Sequence, residues 1–512
     1  MQLPLQCHAG STLSLQDQLF NQIRQRIIEG YLKPGTRLPA SRTLAADLKL
    51  SRNTIVSVYD RLIAEGYLES HPPVGTFVAV SFMQDNACHR QGSMRTSLSG
   101  RDDVPAGAPS RRAAMHFKGR RHKVISPGRG AMAYDFWIGR PDARLFPIQD
   151  WMRNMRRKLR DMQHGNAAYV DPAGLAVLRE AIADHVGGAR GIRTSAQQII
   201  IVNGTQEALT LLAQLFIREG TPVVTENPCY EGAANVFASH GARLCPVSLD
   251  SKGLMVDRLP SRASLVYVTP AHQYPTGVML SPERREELLR WCHVTGAYVV
   301  EDDYNGDFCY DTAPLPALKS LDSCGQVIYL GTFSKSLGAG LRAGYMVVPP
   351  HLAEPAIAAK SLLNNGSGWA VQALLAEFMI SGEYANHLRR IRTLYRERRN
   401  CLVDLLTSCT MHDSSDDIGG AHGGMHLAWQ LPDCWPAAAE LEHHAHRAGV
   451  GVYGMQSINA TLVGHQASRR YQRMLLLGYA AMNEAEITEG FQRMMAGNAV
   501  QPPHVSPARA DA

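Results

Sequence analysis

Leu15, Leu19, Ile23 and Ile27 recur every four positions, and that spacing predicts an amphipathic helix. Lys33-Pro34-Gly35-Thr36 breaks it. Ser41 stands where it can cap a second short helix, with Leu44, Ala45 and Leu48 on its buried side. Ser51 is the candidate cap of a third helix running to about Glu65, with Ile55, Tyr59 and Leu62 as its apolar stripe. After Gly66, two short β-like runs follow, Tyr67-Leu68-Glu69 and Thr76-Phe77-Val78-Ala79-Val80. They are joined by His71-Pro72-Pro73-Val74-Gly75, which predicts a hairpin.

Beyond about residue 132 the period changes. β-like runs at Gln198–Val202, Thr221–Thr225, Leu265–Thr269, Tyr298–Asp302 and Val327–Leu330 alternate with helical segments such as Gln206–Arg218 and Pro282–His293. That alternation argues an α/β unit with a largely parallel sheet, whose ligands sit beyond the carboxyl ends of the strands. The three helices and hairpin before it outline a winged helix-turn-helix, a fold that puts the start of its third helix into the DNA major groove. The expected organisation is a DNA-binding domain over residues 11–80, a linker over 81–131, an α/β domain over 132–498 and a disordered tail over 499–512.

Composition narrows the partners. The chain has 512 residues, 45% of them hydrophobic, enough for two or three globular units. The opening Met1–Gln6 turns polar and no apolar run approaches bilayer length, so neither a leader nor a membrane span is expected. Ten scattered cysteines without a Cys-x-x-Cys pair fit reduced thiols in a cytoplasmic protein. His443, His444 and His446 fall in a polar helical run and read as a solvated face, so no metal site is expected. The net charge of +6 is concentrated in the linker, where ten Lys/Arg face three acids among Ser, Gly, Pro and Ala. Such a segment is either a solubilising tether or one that also tracks phosphates.

Candidate chemistry gathers at the strand ends. Asn203-Gly204-Thr205-Gln206 opens a helix, where backbone N–H groups and the Thr205 hydroxyl make a phosphate cup. Glu226-Asn227-Pro228-Cys229-Tyr230 supplies an aromatic able to stack on a ring. Thr269–Gly277 follows the third strand. Glu301-Asp302-Asp303-Tyr304 brings carboxylates, one of which can keep a pyridine nitrogen protonated. Gly331-Thr332-Phe333-Ser334-Lys335-Ser336 and Arg342 offer a Schiff-base lysine with hydroxyls and a guanidinium suited to phosphate. Each feature has an ordinary reading as turn, core or solvated end. Their complementarity at five successive strand ends points to one site.

Two resemblances sharpen this picture. Leu32–Arg42, Ser51-Arg52-Asn53-Thr54, Glu65–Leu68 and Gly75–Val78 resemble the GntR family of bacterial regulators. That resemblance implies DNA contacts by Arg42, Ser51, Arg52 and Thr54, with Gly75 and Thr76 on a wing near the minor groove. The later unit, from Phe136–Pro147 through Tyr169–Gly174 and Leu178-Arg179 to Gly423–His426, resembles the aminotransferase-like domain of MocR-type regulators. These join a GntR-type winged helix to a fold-type I pyridoxal-phosphate (PLP) domain. The resemblance implies that Lys335 forms the Schiff base with PLP, the cofactor. Asp302 would pair with the pyridine nitrogen, with Asp303 as the alternative, Tyr304 would bond the phenolic oxygen, and Tyr230 would stack on the ring. Gly204, Thr205, Gln206, Thr332, Ser334 and Arg342 would hold the phosphate, and Tyr169 would reach the phosphate of the neighbouring subunit of a homodimer.

Two departures from aminotransferases stand out. Tyr274 replaces the Asn before Pro-Thr-Gly, so its oxygen contact is expected from His272 or Gln273. The late arginine that grips a substrate carboxylate aligns with Ser457, which cannot offer a bidentate charged grip. Arg469, Arg470 and Arg473 are the candidates to replace it. The expected function is therefore a cytoplasmic transcription regulator that binds operator DNA and senses PLP, an amino compound or both. Vitamin B6 or amino-acid and amine metabolism genes are its expected targets, and its aldimine chemistry is expected to stop short of full transamination. The alternative is a working PLP-dependent aminotransferase.

Overall fold

The computed structural model describes residue 5 and residues 14–71, 75–79, 132–161, 169–311, 315–409, 417–458, 460–461, 463 and 470–496. The linker and tail expected at 81–131 and 499–512 lie outside the described residues. The chain divides into two compact units, Met1–Pro109 with Asp311–Pro314, and Ser110–Tyr310 with Leu315–Ala512.

In the first unit, helix α1 (Leu15–Ile28) starts at Ser14, whose hydroxyl accepts from the Asp17 N–H. Leu19, Ile23 and Ile27 are fully buried, while Leu15 lies outside the core stripe. Helix α2 (Ser41–Leu48) begins one residue earlier than expected. Ala40 occupies the cap position without a side-chain bond, so Ser41 is the first helical residue and not the cap. Helix α3 (Arg52–Ala64) is capped by Ser51, which accepts from the Thr54 N–H at 3.1 Å. Ile55, Val58 and Leu62 of α3 close the core against Leu19, Phe20, Ile23 and Leu44. Each such side chain contributes about 1.5–3 kcal/mol on burial. Strands β1 (Leu68–His71) and β2 (Gly75–Val78) pair antiparallel, Leu68 opposite Val78. Residues 35–38 run beside β2, with Gly35 N–H donating to Val78 O and Leu38 N–H to Thr76 O, each at 2.9 Å.

The second unit holds an eight-stranded sheet. Its strands are β4 (Ile199–Val202), β5 (Pro222–Asn227), β7 (Arg243–Asp250), β8 (Gly253–Leu254), β9 (Leu265–Val268), β10 (Tyr298–Asp303), β11 (Val327–Thr332) and β12 (Gly344–Val347). They lie in the order β4-β12-β11-β10-β9-β5-β7-β8. Strands β11, β10, β9, β5 and β7 are mutually parallel, while β12 runs antiparallel to both β11 and β4. Helices α4 (Ile148–Asp161), α5 (Ala176–Arg190), α6 (Thr205–Phe216), α7 (Glu231–Ser239), α8 (Pro282–Thr295), α9 (Leu318–Leu321), α10 (Pro350–Asn364), α11 (Trp369–Ile380) and α12 (Glu383–Thr407) accompany it. Ile199–Val202 and Leu265–Val268 are buried at every position because both faces of the sheet are covered.

Short pairings complete the unit. Tyr134–Asp135 (β3) lies parallel to Val450–Gly451 (β15), and Cys229–Tyr230 (β6) lies antiparallel to Ala460–Thr461 (β17). A four-stranded antiparallel sheet joins Ile418–Gly419 (β13), His426–Gln430 (β14), Met474–Gly478 (β18) and Tyr453–Gly454 (β16). Among the described residues, no helix is long and apolar enough to cross a membrane.

Candidate functional site

Strand alternation decides the carboxylates. Successive side chains of β10 point to opposite faces. Asp303 turns to one face, where it accepts from the Tyr329 hydroxyl at 2.7 Å and pairs with the buried Arg190 guanidinium at 2.6 Å. Glu301 shares that face and accepts the N–H groups of Leu318 and Lys319 at the start of α9. Asp302 turns to the other face and accepts from the Tyr267 hydroxyl at 2.7 Å. Burial pushes its carboxyl up to about 7, against the Tyr267 hydrogen bond and the nearby Lys335 cation. Asp302 is thus the carboxylate beside the lysine, and Asp303 is committed to Arg190.

Lys335 follows β11 and stands in a recess that leaves part of its surface open. Its amine donates to the Gly139 carbonyl at 2.8 Å and lies 5.9 Å from the centre of the Tyr304 ring. Burial lowers its pKa from 10.5 to about 8, and Asp302 opposes that shift. At neutral pH an appreciable fraction of the amine is therefore free to attack an aldehyde. The Tyr304 hydroxyl is buried without a well-formed hydrogen bond. Its phenol is pushed well above its ordinary value by burial, so it stays a donor.

The phosphate cup forms where β4 meets α6. Gly204 (φ +95°) caps α6, and a Cβ there would sit 2.9 Å from an Arg342 guanidinium nitrogen. Arg342, itself left-handed at φ +50°, donates to the Asn203 carbonyl at 2.7 Å. Thr205 and Gln206 are the first residues of α6, so their N–H groups point out of the helix start. The Gln206 side chain donates to the Tyr230 hydroxyl at 3.0 Å, leaving its backbone N–H for an anion. Thr332 and Ser334 hydroxyls lie 3.0 Å apart on the lysine loop.

Loop 269–277 packs an aromatic wall against this recess. The Tyr274 ring meets Tyr230 edge-on at 5.6 Å and Tyr304 at 5.9 Å. Gln273 is occupied in holding the loop: its amide donates to Glu226, Pro228 O and Tyr274 O, and its oxygen accepts from Thr276. The oxygen contact expected of it is therefore ruled out, while the His272 ring packs on Tyr304 at 6.2 Å with a buried, unpartnered Nε2.

The structure thus assembles Lys335, Asp302, Tyr304, Tyr230, Gly204, Thr205, Gln206, Thr332, Ser334 and Arg342 around one recess. Tyr169 is not among them; it is 87% exposed. Ser457 sits in a turn, its N–H donating to Gly454 O. Arg473 is engaged by the carbonyls of Leu431, Pro432 and Trp435, and Arg470 lies beside the Tyr471 ring. Arg469 falls outside the described residues. The recess suits PLP on its own evidence. It offers a buried phenol without a well-formed hydrogen bond, a carboxylate beside a reactive amine, and a helix start that a side chain on Gly204 would fill.

Tyr267, Arg190 and the Gly139 carbonyl went unnoticed in the sequence. Tyr267 pairs in register with Val300, two residues before Asp302 on the same face, a relation visible only once β9 and β10 are aligned.

On the DNA-binding unit, Arg52 is the exposed first residue of α3 and Arg42 is exposed on α2. Ser51 and Thr54 hydroxyls lie 2.9 Å apart at that helix start. Gly75 and Thr76 lie on the hairpin, and a Cβ on Gly75 (φ +141°) would stand 3.0 Å from Arg37 Nε, so Arg37 lies along the wing. Its motif contained the signal, but its place beside Gly75 required the pairing of residues 35–38 with β2.

Residues 15–78 match the family model for bacterial regulatory proteins of the gntR family, and residues 137–426 match that for aminotransferase class I and II. The chain is 38% identical over 397 residues to the probable rhizopine catabolism regulatory protein MocR of Rhizobium meliloti, covering 77% of each chain. It is 32% identical over 489 residues to the uncharacterized HTH-type transcriptional regulator YhdI of Bacillus subtilis, over 94% of this chain and 96% of that one. The kynurenine aminotransferase of Pyrococcus horikoshii superposes with a TM-score of 0.63 at 27% identity, covering 71% of this chain and 90% of that one. A GntR-type unit followed by an aminotransferase fold, matched end to end by HTH-type regulators, places this chain in the family of MocR-type transcriptional regulators.

Proposed function

We propose that this regulator binds PLP through Lys335 and that occupancy of the recess, by PLP alone or with an amino compound, alters its affinity for operator DNA. The observation that carries this reading is the convergence of Lys335, Asp302 and Tyr304 beside the Gly204–Arg342 cup, in a chain that also presents Arg52 at an exposed helix start.

PLP, when bound, supplies an aldehyde carbon for an amine and a ring that draws electrons from it. The residues have separable tasks. Lys335 would hold the aldehyde, Asp302 would supply an anion for the pyridine nitrogen, and Tyr304 would donate to the phenolic oxygen. Tyr230 would cover the ring. The N–H groups of Thr205 and Gln206, with Thr332, Ser334 and Arg342, receive the phosphate. Arg42, Arg52, Thr54 and Ser51 contact DNA phosphates and base edges, and Gly75 and Thr76 bring the wing to the minor groove.

Tyr169 is exposed in its own protomer, which supports its reaching the phosphate of a second copy in a homodimer. Regulation is favoured over turnover because Ser457 offers no charged grip and Arg473 is engaged by backbone carbonyls. The working place is the cytoplasm, where operator DNA is met. MocR is named for rhizopine catabolism; for this chain we infer vitamin B6 or amino-acid and amine metabolism genes as targets.

The test is binding of the purified protein to DNA upstream of its own gene, cofactor-free and PLP-loaded, with Arg52→Ala as control. A specific, Arg52-dependent shift that changes with PLP is expected. Sustained transamination of an amino-acid and keto-acid pair, with DNA binding indifferent to PLP, would overturn it.

A further inference from the structure

Behind the phosphate cup lies a buried ion pair, Lys360–Glu207, that none of the site roles given above uses. Lys360 of α10 is fully buried, and its amine lies 2.6 Å from Glu207 Oε1. Its other donors meet the Ser367 hydroxyl at 3.1 Å and Asn364 Oδ1 at 3.4 Å, so all three are used. Glu207 is the third residue of α6. Its second oxygen accepts the N–H of Asn203, the residue before the Gly204 cap, while Asn364 Nδ2 donates to its first at 2.5 Å.

The Asn203 backbone is consequently held on both sides, its N–H by Glu207 and its carbonyl by Arg342. Gly204, the cap of the cup, is the next residue. Two consequences follow. The clamp fixes the direction in which Gly204 and the α6 start face Arg342. It also places a carboxylate in the first turn of the helix that would receive a dianion. Uncompensated, that carboxylate would repel phosphate, and burial leaves little solvent screening between them. Lys360 neutralises it.

We propose that Lys360 is a positioning residue for phosphate recognition. Through Glu207 it holds the Asn203–Gly204 turn and cancels the charge that would otherwise oppose the phosphate group. The inference rests on the reading that PLP occupies the recess.

The experiment compares the dissociation constants of PLP and of pyridoxal, which lacks the phosphate, by titrating the cofactor-free full-length protein and following cofactor absorbance. Lys360→Gln leaves the Glu207 charge exposed and should weaken PLP about ten- to a hundredfold, the range typical of outer-shell changes, with pyridoxal unchanged. Glu207→Gln leaves an uncompensated cation and should raise the preference for PLP over pyridoxal. The double variant Lys360→Gln/Glu207→Gln should return that preference to near the wild-type value.

A mere packing role cannot produce shifts of opposite sign. Parallel loss of PLP and pyridoxal in Lys360→Gln overturns the proposal, as does an unchanged preference in Glu207→Gln. If Lys360→Gln does not fold, Glu207→Gln and the double variant still decide by the same criterion. Failure of the wild-type protein to bind either compound would instead defeat the reading of the recess itself.

Discussion

The Lys335 amine donates to the carbonyl of Gly139 at 2.8 Å across 196 residues of chain, and a methyl on Gly139 would stand 2.6 Å from that nitrogen. Gly139 is also left-handed (φ +68°), a conformation that costs an alanine roughly 1–2 kcal/mol. Gly139→Ala should therefore displace Lys335 and slow PLP capture at least about tenfold, by the cost of a misplaced reacting group. Stopped-flow absorbance after mixing with PLP would measure it. An unchanged capture rate would mean that the lysine does not depend on this contact.

The Lys335 amine titrates at about 8 because burial disfavours its charge, with Asp302 pulling the other way. Only the neutral amine attacks an aldehyde, so capture by the cofactor-free protein should rise with pH through about 8 and then level. Asp302→Asn removes the anion that favours the charged form, so the midpoint should move to lower pH. The same depression affects stability. The unfolded lysine binds its proton below 10.5 and the folded one only below about 8, so this group's contribution to stability rises between those values and is lost as pH falls.

The two adjacent aspartates should fail differently. Asp303→Asn strips the buried Arg190 of its counter-charge and should cost about 3–5 kcal/mol, read as a large fall in Tm. Asp302→Asn should leave Tm much closer to wild type while weakening PLP. Equal thermal effects would reverse the assignment of the two carboxylates.

Ser51 and Arg52 offer a similar contrast at the start of α3. Ser51→Ala removes a cap bonded to Thr54 and should destabilise the winged unit by about 1 kcal/mol. Arg52→Ala, exposed, should leave stability unchanged yet cost about 1–3 kcal/mol in operator binding if it reads a base edge. Denaturant melts paired with titrations against specific and scrambled DNA would separate the two. Loss of affinity equal on both DNAs would make Arg52 a phosphate contact.

Arg61 joins α1 and α3 through one ion pair and one aromatic ring. Arg61 bonds Asp17 at 2.7 Å and lies 3.9 Å over the Phe20 ring, tying α3 to α1. Arg61→Ala should lower the stability of this unit through lost packing as well as charge, by about 1 kcal/mol. Added salt should recover little of the difference between the two proteins. A loss that vanishes at high salt would leave the ion pair as its sole source.

Much of this protein was legible in the linear chain. The four-residue stripe of α1, the alternation of apolar strands with amphipathic helices, and the clustering of Lys335, Asp302 and Gly204 at strand ends follow from local periodicity, which sequence records directly. The sequence misplaced the α2 cap by one residue because Ser41 carries a capping hydroxyl and Ala40, the actual cap, carries no such signal. It offered Gln273 for a contact that its hydrogen bonds to Glu226, Pro228 and its own loop preclude. Choosing Asp302 over Asp303 needed the facing of β10, and Tyr267, Gly139 and Lys360 needed neighbours up to 196 positions away. Such contacts depend on strand register and helix packing, which form only when distant segments bury their apolar faces together. Periodicity specifies which face is buried; only the tertiary structure decides what it is buried against.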